Sequence, residues 1–299
     1  MRQFPKPQLL HQLLIDVGLT IPSGLPNPLI KHVSCDSRRV QDGSLFLGLS
    51  GSSFDGGTFW RQALSSGAAA AVIGPEAARV TNPKEEDTVV IVKEPVADWA
   101  GRLCSVFWGK PSSQIPLIGV TGTNGKTTTT YLIEYLSSVI GTPTALFGTL
   151  TNRWPLHSET AKHTTPFTDD LQAQLANSIK AGSKLAVMEV SSHALDQNRV
   201  AGCSFSGAVF TNLSHDHLDY HSSMENYFEA KSKLFKSPLL KEGKDRVIVN
   251  IDDIWGSQLA EQLGETCWRS SLLDESCKSS KAELTISNLE KTPHGVKGL

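Results

Sequence analysis

The chain has 299 residues, 39% of them hydrophobic and 19% charged, and a formal net charge of −2. That balance gives no electrostatic reason to expect a nucleic-acid partner, and no apolar run is long enough to predict a membrane span. Five cysteines (Cys35, Cys104, Cys203, Cys267, Cys277) without CxxC or zinc-finger spacing fit a reducing cytoplasm, where the protein is expected.

The length predicts two domains. Residues 1–112 read as a small α/β domain. A helix at 8–17 carries Leu9, Leu10, Leu13, Leu14 and Val17 on one stripe. Strands follow at Ile30–Ser34, Ser44–Leu49, Ala69–Ile73 and Thr88–Val92, with helices at Thr58–Ser66 and Pro95–Trp108. Gly109-Lys110-Pro111-Ser112-Ser113 has the composition of a linker.

Residues 113–299 alternate regularly. Strands at 115–120, 143–147, Leu185–Val190, Ala208–Asn212 and Arg246–Ile251 interleave with helices at 127–139, 168–181, 223–236 and 253–263. The pattern predicts an α/β fold with a doubly wound, mostly parallel sheet and ligands at the C-terminal strand ends. Residues 264–281 read as a Ser-rich loop, and Thr285-Ile286-Ser287 with Gly295–Leu299 as a hairpin only begun, so a truncated chain is expected.

The first strand of this half runs into Gly122-Thr123-Asn124-Gly125-Lys126-Thr127-Thr128. A strand, a glycine-containing turn and a helix in that order make a phosphate cradle. Backbone N–H groups converge on phosphate oxygens, Lys126 reaches the outer phosphates, and the Thr127 hydroxyl can ligate Mg²⁺. The strict P-loop pattern has a glycine where Val120 stands, so this is a shorter variant; a nucleoside triphosphate is the expected ligand. Glu189 ends another strand, where a carboxylate can ligate Mg²⁺ or cap the next turn. Three histidines, His215, His217 and His221, crowd a further strand end. They lack H-E-x-x-H spacing and a nearby cysteine, which favours a single imidazole near phosphate-bound Mg²⁺ over zinc. Lys231 lies on a helix, where lysines are normally solvated.

Taken with Asp36-Ser37-Arg38, Asp42-Gly43-Ser44-Leu45-Phe46, Thr164-Thr165-Pro166, Glu189-Val-Ser-Ser-His193, Gln197, Arg199, Asn212–Tyr220 and Glu229-Ala230-Lys231, the chain resembles the Mur ligases along nearly its whole length. Within the family the Thr-Thr-Pro, Glu-Val-Ser-Ser-His and Gln-x-Arg elements resemble the branch that adds the third residue of the peptidoglycan stem peptide, diaminopimelate or lysine.

The resemblance implies an ATP-dependent ligase that phosphorylates a carboxylate of UDP-MurNAc-dipeptide and lets an amino acid displace the phosphate. It implies that Gly122–Thr128 bind ATP and that Lys126, His217 and Lys231 are catalytic. Thr127, Glu189, His217 and Lys231, the last carbamylated into an oxygen-donor anion, would hold Mg²⁺. Thr164, Thr165, Ser191, Gln197 and Arg199 would bind the muramoyl dipeptide, and Ser37, Ser52, Ser53 and Phe54 the uridine diphosphate end. A monomer is expected, with 1–112 binding the UDP end and 113–299 forming an incomplete ATP-binding domain. The family's third domain would lie beyond residue 299, so the 299 residues alone are expected to bind without ligating. Two alternatives stay open: a non-ligating binding module for UDP-muramoyl-dipeptide or ATP, and a ligase like folylpolyglutamate synthetase. The Asp36-Ser37-Arg38 region speaks against the latter.

Overall fold

The computed structural model describes residues 5–51, 54–241, 246–272, 282–286, 288, 290–292 and 295–297. Near its start a short antiparallel pair, β1 (Gln8–Leu9) with β2 (Leu29–Ile30), brackets helix α1 (Leu10–Asp16). A four-stranded sheet follows, β3 (His32–Ser34), β4 (Ser44–Leu47), β5 (Ala68–Ile73) and β6 (Val89–Ile91) in that order, every pairing parallel. Side chains alternate across it. Leu45, Leu47, Ala70 and Val72 face α1 and α4 (Val96–Phe107). Phe46, Ala71 and Ile73 face Trp60 and Ala63 of α2 (Trp60–Ser65) and Ala77 of α3 (Pro75–Val80). Because both faces are covered, β4 and β5 are apolar almost throughout.

In the second sheet β7 (Leu117–Thr121) lies between β11 (Leu185–Glu189) and β12 (Gly207–Phe210), parallel to both. Beyond β11 come β8 (Thr144–Phe147) and an antiparallel hairpin, β9 (Thr151–Trp154) with β10 (His157–Thr160). Beyond β12 come β13 (Val247–Asn250), β14 (Cys267–Ser271) and β15 (Leu284–Thr285), all parallel. The chain leaves β7 on one side, returns through β11, and then crosses to β12. That reversal opens a crevice above the C-terminal ends of these three strands.

Helices α6 (Thr168–Lys180), α9 (Met224–Ser232) and α10 (Ile254–Leu263) cover one face. There Leu171, Leu175, Phe228 and Leu259 pack with Leu117, Phe147, Met188 and Phe210. Helix α5 (Lys126–Val139) covers the other, setting Tyr131 and Ile133 against Val120, Leu146 and Val187. The outer stripe of α5, Leu132, Leu136 and Val139 with Ile140 just beyond, stays exposed. Short helices α7 (Ser192–Asp196) and α8 (Leu218–His221) follow β11 and β12. No helix among the described residues is long and apolar enough to cross a membrane.

The sheet is the mostly parallel, doubly wound α/β arrangement that the alternation predicts, beside a smaller α/β unit. Several local expectations change. Pro111 and Ser112 of the expected linker are buried, because the Ser112 hydroxyl accepts the Ser204 N–H at 3.0 Å. The expected loop at 264–281 contains β14, whose edge-to-edge pairing with β13 outweighs its polar composition; residues 273–281 lie outside the described residues. Thr285 pairs with β14, whereas β16 (Glu290–Thr292) pairs with β17 (Gly295–Lys297), so the expected single hairpin is two separate pairings. The two sheets meet through α4 and α6, and a side chain at Gly101 would collide with the backbone of Ala201.

Candidate functional site

Strand β7 ends in the loop Gly122–Gly125, and α5 starts at Lys126. Gly122 (φ +145°) and Gly125 (φ +85°) adopt backbone conformations that favour glycine, and a Cβ on Gly122 would strike the Thr211 hydroxyl. The loop is pinned from β12. Thr123 N–H donates to Asn212 O at 2.9 Å, Asn124 N–H to Asn212 Oδ1 at 3.0 Å, and Thr211 Oγ1 to Asn124 O at 2.6 Å. Asn124, Gly125 and Thr128 are exposed on its open side.

Lys126 folds over this loop, its Nζ donating to Gly122 O at 3.0 Å and Thr123 O at 2.8 Å. Lys231 reaches the same Gly122 carbonyl from α9, at 2.8 Å, with its Nζ 4.5 Å from the centre of the Tyr227 ring. Lys231 is only 1% exposed, against the expectation for a helix lysine. Burial and then the Lys126 charge push its pKa well below the usual lysine value. Burial lowers that of Lys126 as well.

Beside this pair, Thr127 Oγ1 donates to Glu189 Oε2 at 2.9 Å. Glu189 is buried and is also met by Thr149, whose N–H donates to Oε1 at 2.8 Å and whose hydroxyl lies 3.0 Å from Oε2. Gly148 makes this possible, since a Cβ there would strike the carboxylate. The same Thr149 hydroxyl lies 3.1 Å from Thr164 Oγ1. Thr165 Oγ1 donates to Glu189 O at 2.9 Å and accepts the Ser191 N–H at 3.0 Å, while Ser191 Oγ caps α7 through Ala194 N–H.

Arg199 lies over the Phe167 ring at 4.1 Å and donates to Gln197 Oε1 from Nε (2.9 Å) and Nη2 (2.6 Å), and to Thr165 O from Nη1 (3.4 Å). Burial lowers its pKa. Gln197 in turn donates to Tyr220 OH, which donates to Asp196. His217 packs edge-on against His193 at 4.9 Å and Tyr227 at 6.1 Å.

Thr127, Glu189, Thr165 and Ser191 are thus linked by direct contacts, Thr164 joins them through Thr149, Lys126 and Lys231 share one carbonyl, and Gln197 and Arg199 join through Thr165. Among the described residues His217 approaches the group through ring contacts with His193 and Tyr227. Ser37 stands apart, on a 3₁₀ turn after β3, and Phe54 is 64% exposed; Ser52 and Ser53 lie outside the described residues. Sequence reasoning missed Thr149 and Phe167. Gly148-Thr149 directly follows a parallel strand adjacent to that of Glu189, and the strand-end rule could have found it.

Among the described residues no three His, Cys, Asp or Glu side chains converge as a metal site. The donor chemistry still suits a hard divalent cation, because the adjacent Thr127 and Glu189 side chains offer oxygen ligands at a helix N-terminus.

Comparison with known proteins gives two family matches: the Mur ligase middle domain over residues 120–299 and the Mur ligase family, catalytic domain, over 29–108. The UDP-N-acetylmuramoyl-L-alanyl-D-glutamate--2,6-diaminopimelate ligase of Prochlorococcus marinus (strain MIT 9313) is 61% identical over 291 residues, covering 97% of this chain and 57% of the relative. The protein of the same name from Thermosynechococcus vestitus is 48% identical over 294 residues, covering 97% and 56%. A solved structure with this name superposes with a TM-score of 0.79 at 27% identity, covering 98% of this chain and 57% of that one. MurF from Acinetobacter baumannii, at 19% identity and TM-score 0.60 over 99% and 61%, shares the fold. The chain therefore spans a little over half the length of the relatives it matches. With the middle-domain match running from the last residues of β7 to residue 299, and so across the Gly122–Gly125 loop and every strand end just described, the chain belongs to the Mur ligase family.

Proposed function

We propose that these residues form the nucleotide- and precursor-binding parts of a ligase that uses ATP to join 2,6-diaminopimelate to UDP-N-acetylmuramoyl-L-alanyl-D-glutamate during peptidoglycan precursor synthesis. The observation that carries this reading is the convergence of Lys126 and Lys231 on the Gly122 carbonyl, beside the Thr127–Glu189 pair. The names of relatives such as the 61% identical protein favour diaminopimelate over lysine.

In this reading the loop amides and Lys126 would hold the outer phosphates of ATP, Thr127 would ligate one Mg²⁺, and Glu189, His217 and Lys231 would hold a second. Bound there, Mg²⁺ would neutralise charge on the phosphates and on the substrate carboxylate. Lys231 needs chemical conversion for that task, because an ammonium offers no lone pair. Burial and Lys126 favour its neutral amine. A neutral amine attacks CO₂, forming an N–C bond and releasing one proton, which leaves a carbamate with two oxygen donors. Arg199 suits the substrate carboxylate: it is held by the carbonyl oxygens of Gln197 and Thr165, which leave its charge uncompensated. In this reading that carboxylate attacks the γ-phosphorus of ATP, the bond to the β-phosphate oxygen breaks to release ADP, and an acyl phosphate results; the incoming amine then forms the amide bond, losing a proton, as phosphate leaves. Ser37 and Phe54 would bind the uridine diphosphate end. The reading needs one copy of the chain and a cytoplasmic supply of ATP.

Calorimetric titration of MgATP and of the UDP-muramoyl-dipeptide into the 299-residue chain tests the proposal. Both are expected to bind, and ¹³C-bicarbonate is expected to give a carbamate NMR signal that Lys231→Ala lacks. A chain that binds neither ligand refutes it.

A further inference from the structure

The turn Cys35–Arg39 after β3 is tied to the start of α6 across the two sheets. Cys35 N–H donates to Asp169 Oδ2 at 3.1 Å, and Arg39 grips Asp170 with both ends of its fork, at 3.0 and 2.8 Å, with Nη1 also 3.8 Å from Asp169 Oδ2. Ser37 lies inside this turn, and Thr164-Thr165 lie just before α6. We propose that Arg39, Asp169 and Asp170 are positioning residues that fix the turn at Ser37 relative to Thr164-Thr165, so that a ligand with a nucleoside diphosphate at one end and a peptide at the other binds as one span.

The proposal rests on the function read above. The neighbouring arginine cannot serve, because Arg38 folds back on Asp36 and its side chain is 84% exposed. Arg39 crosses to the other sheet, and a bidentate arginine–carboxylate pair sets orientation as well as distance. Asp169, 5% exposed, is rigidly placed, between Phe167 under Arg199 and the buried Leu171 and Gln172. With about half of the Arg39 side chain in solvent, the pair adds little to stability. Its effect falls on the ligand. Two ends of one molecule gain effective concentration only when their sites are held at the matching separation, and slack in the turn removes that gain.

Calorimetry with three probes tests this: UDP-N-acetylmuramoyl-dipeptide, UDP, and N-acetylmuramoyl-dipeptide. Arg39→Ala and the nearly isosteric Asp170→Asn are expected to weaken the whole ligand about tenfold while each half binds within about twofold of wild type, as for a broken two-site linkage. The charge-swapped double variant, Arg39→Asp with Asp170→Arg, is expected to recover most of the loss. If the single variants bind the whole ligand as wild type does, or if the loss appears equally in UDP alone, the positioning role is wrong. Wild type that binds both halves but gains nothing from their linkage also overturns it, leaving the function reading intact. Wild type that binds neither half overturns both.

Discussion

At the second sheet, Thr127 just past β7 bonds Glu189 at the end of β11, and the loop backbone between them is fixed by Thr211 and Asn212 just past β12. At the first sheet, Ser37 sits on a three-residue turn and Phe54 on an exposed loop that meets Phe59 edge-on at 5.8 Å. The contrast follows from the ligand chemistry each end is read to meet. A triphosphate and a hard cation need several charges and dipoles fixed before the ligand arrives, whereas a nucleoside end can be gripped by a turn held from outside. Rigidity here is supplied internally to one region and, through Arg39 and Asp169, externally to the other.

The largest expected effect breaks the internally braced end. Lys126→Ala should weaken MgATP about 30- to 150-fold, the loss of charge-assisted bonds of roughly 2–3 kcal/mol, and leave UDP binding unchanged. Calorimetry reads it, and a change under threefold would remove Lys126 from the phosphate site.

Next comes the seam between the regions. Gly101→Ala sets a methyl against the Ala201 backbone, which cannot swing aside as a side chain can. A stability loss of about 1–3 kcal/mol in urea unfolding is expected. An unchanged midpoint would mean that α4 and the 201–202 turn can slide apart freely.

A smaller, pH-dependent effect separates bonding from charge at Asp169. Burial, then the Asp170 charge, raises its pKa above 3.8. The folded chain therefore holds this proton more tightly than the unfolded one, and the group's contribution to stability falls as pH rises from 3.8 through the folded value. Asp169→Asn keeps an oxygen for Cys35 N–H. It should match wild type in acid and exceed it slightly at neutral pH in thermal melts; lower stability than wild type at neutral pH would show that Arg39 outweighs burial.

The smallest effect concerns the outer side of α5. Ile140, 78% exposed, should accept glutamine within about 0.5 kcal/mol. Light scattering on warming should then show slower aggregation, since an exposed apolar stripe shrinks. A large stability loss would reveal packing at Ile140 that its exposure does not indicate.

Strand periodicity and the Gly122–Thr128 loop were legible because each depends on residues near in sequence. The helix at Pro75–Val80 and the strand at Cys267–Ser271 were not: one is short and alanine-rich, the other is polar and held by its neighbour β13. Lys231 shows the same limit at the site. Nothing within its helix marks it as buried; its partner is a carbonyl 109 residues away.

By itself the sequence determined that the chain alternates strands and helices, where its Gly122–Thr128 turn into α5 lies, and which family it resembles. Those are matters of local spacing: a period of two or 3.6, glycines where a turn needs them, and side chains in fixed order. Only the tertiary structure decided which lysine is buried, that Thr149 and Gly148 shape the Glu189 carboxylate, and that Arg39 spans to Asp170. Each of those depends on desolvation or on a bond between groups far apart in the chain, and such pairings exist only after the sheets have brought their ends together.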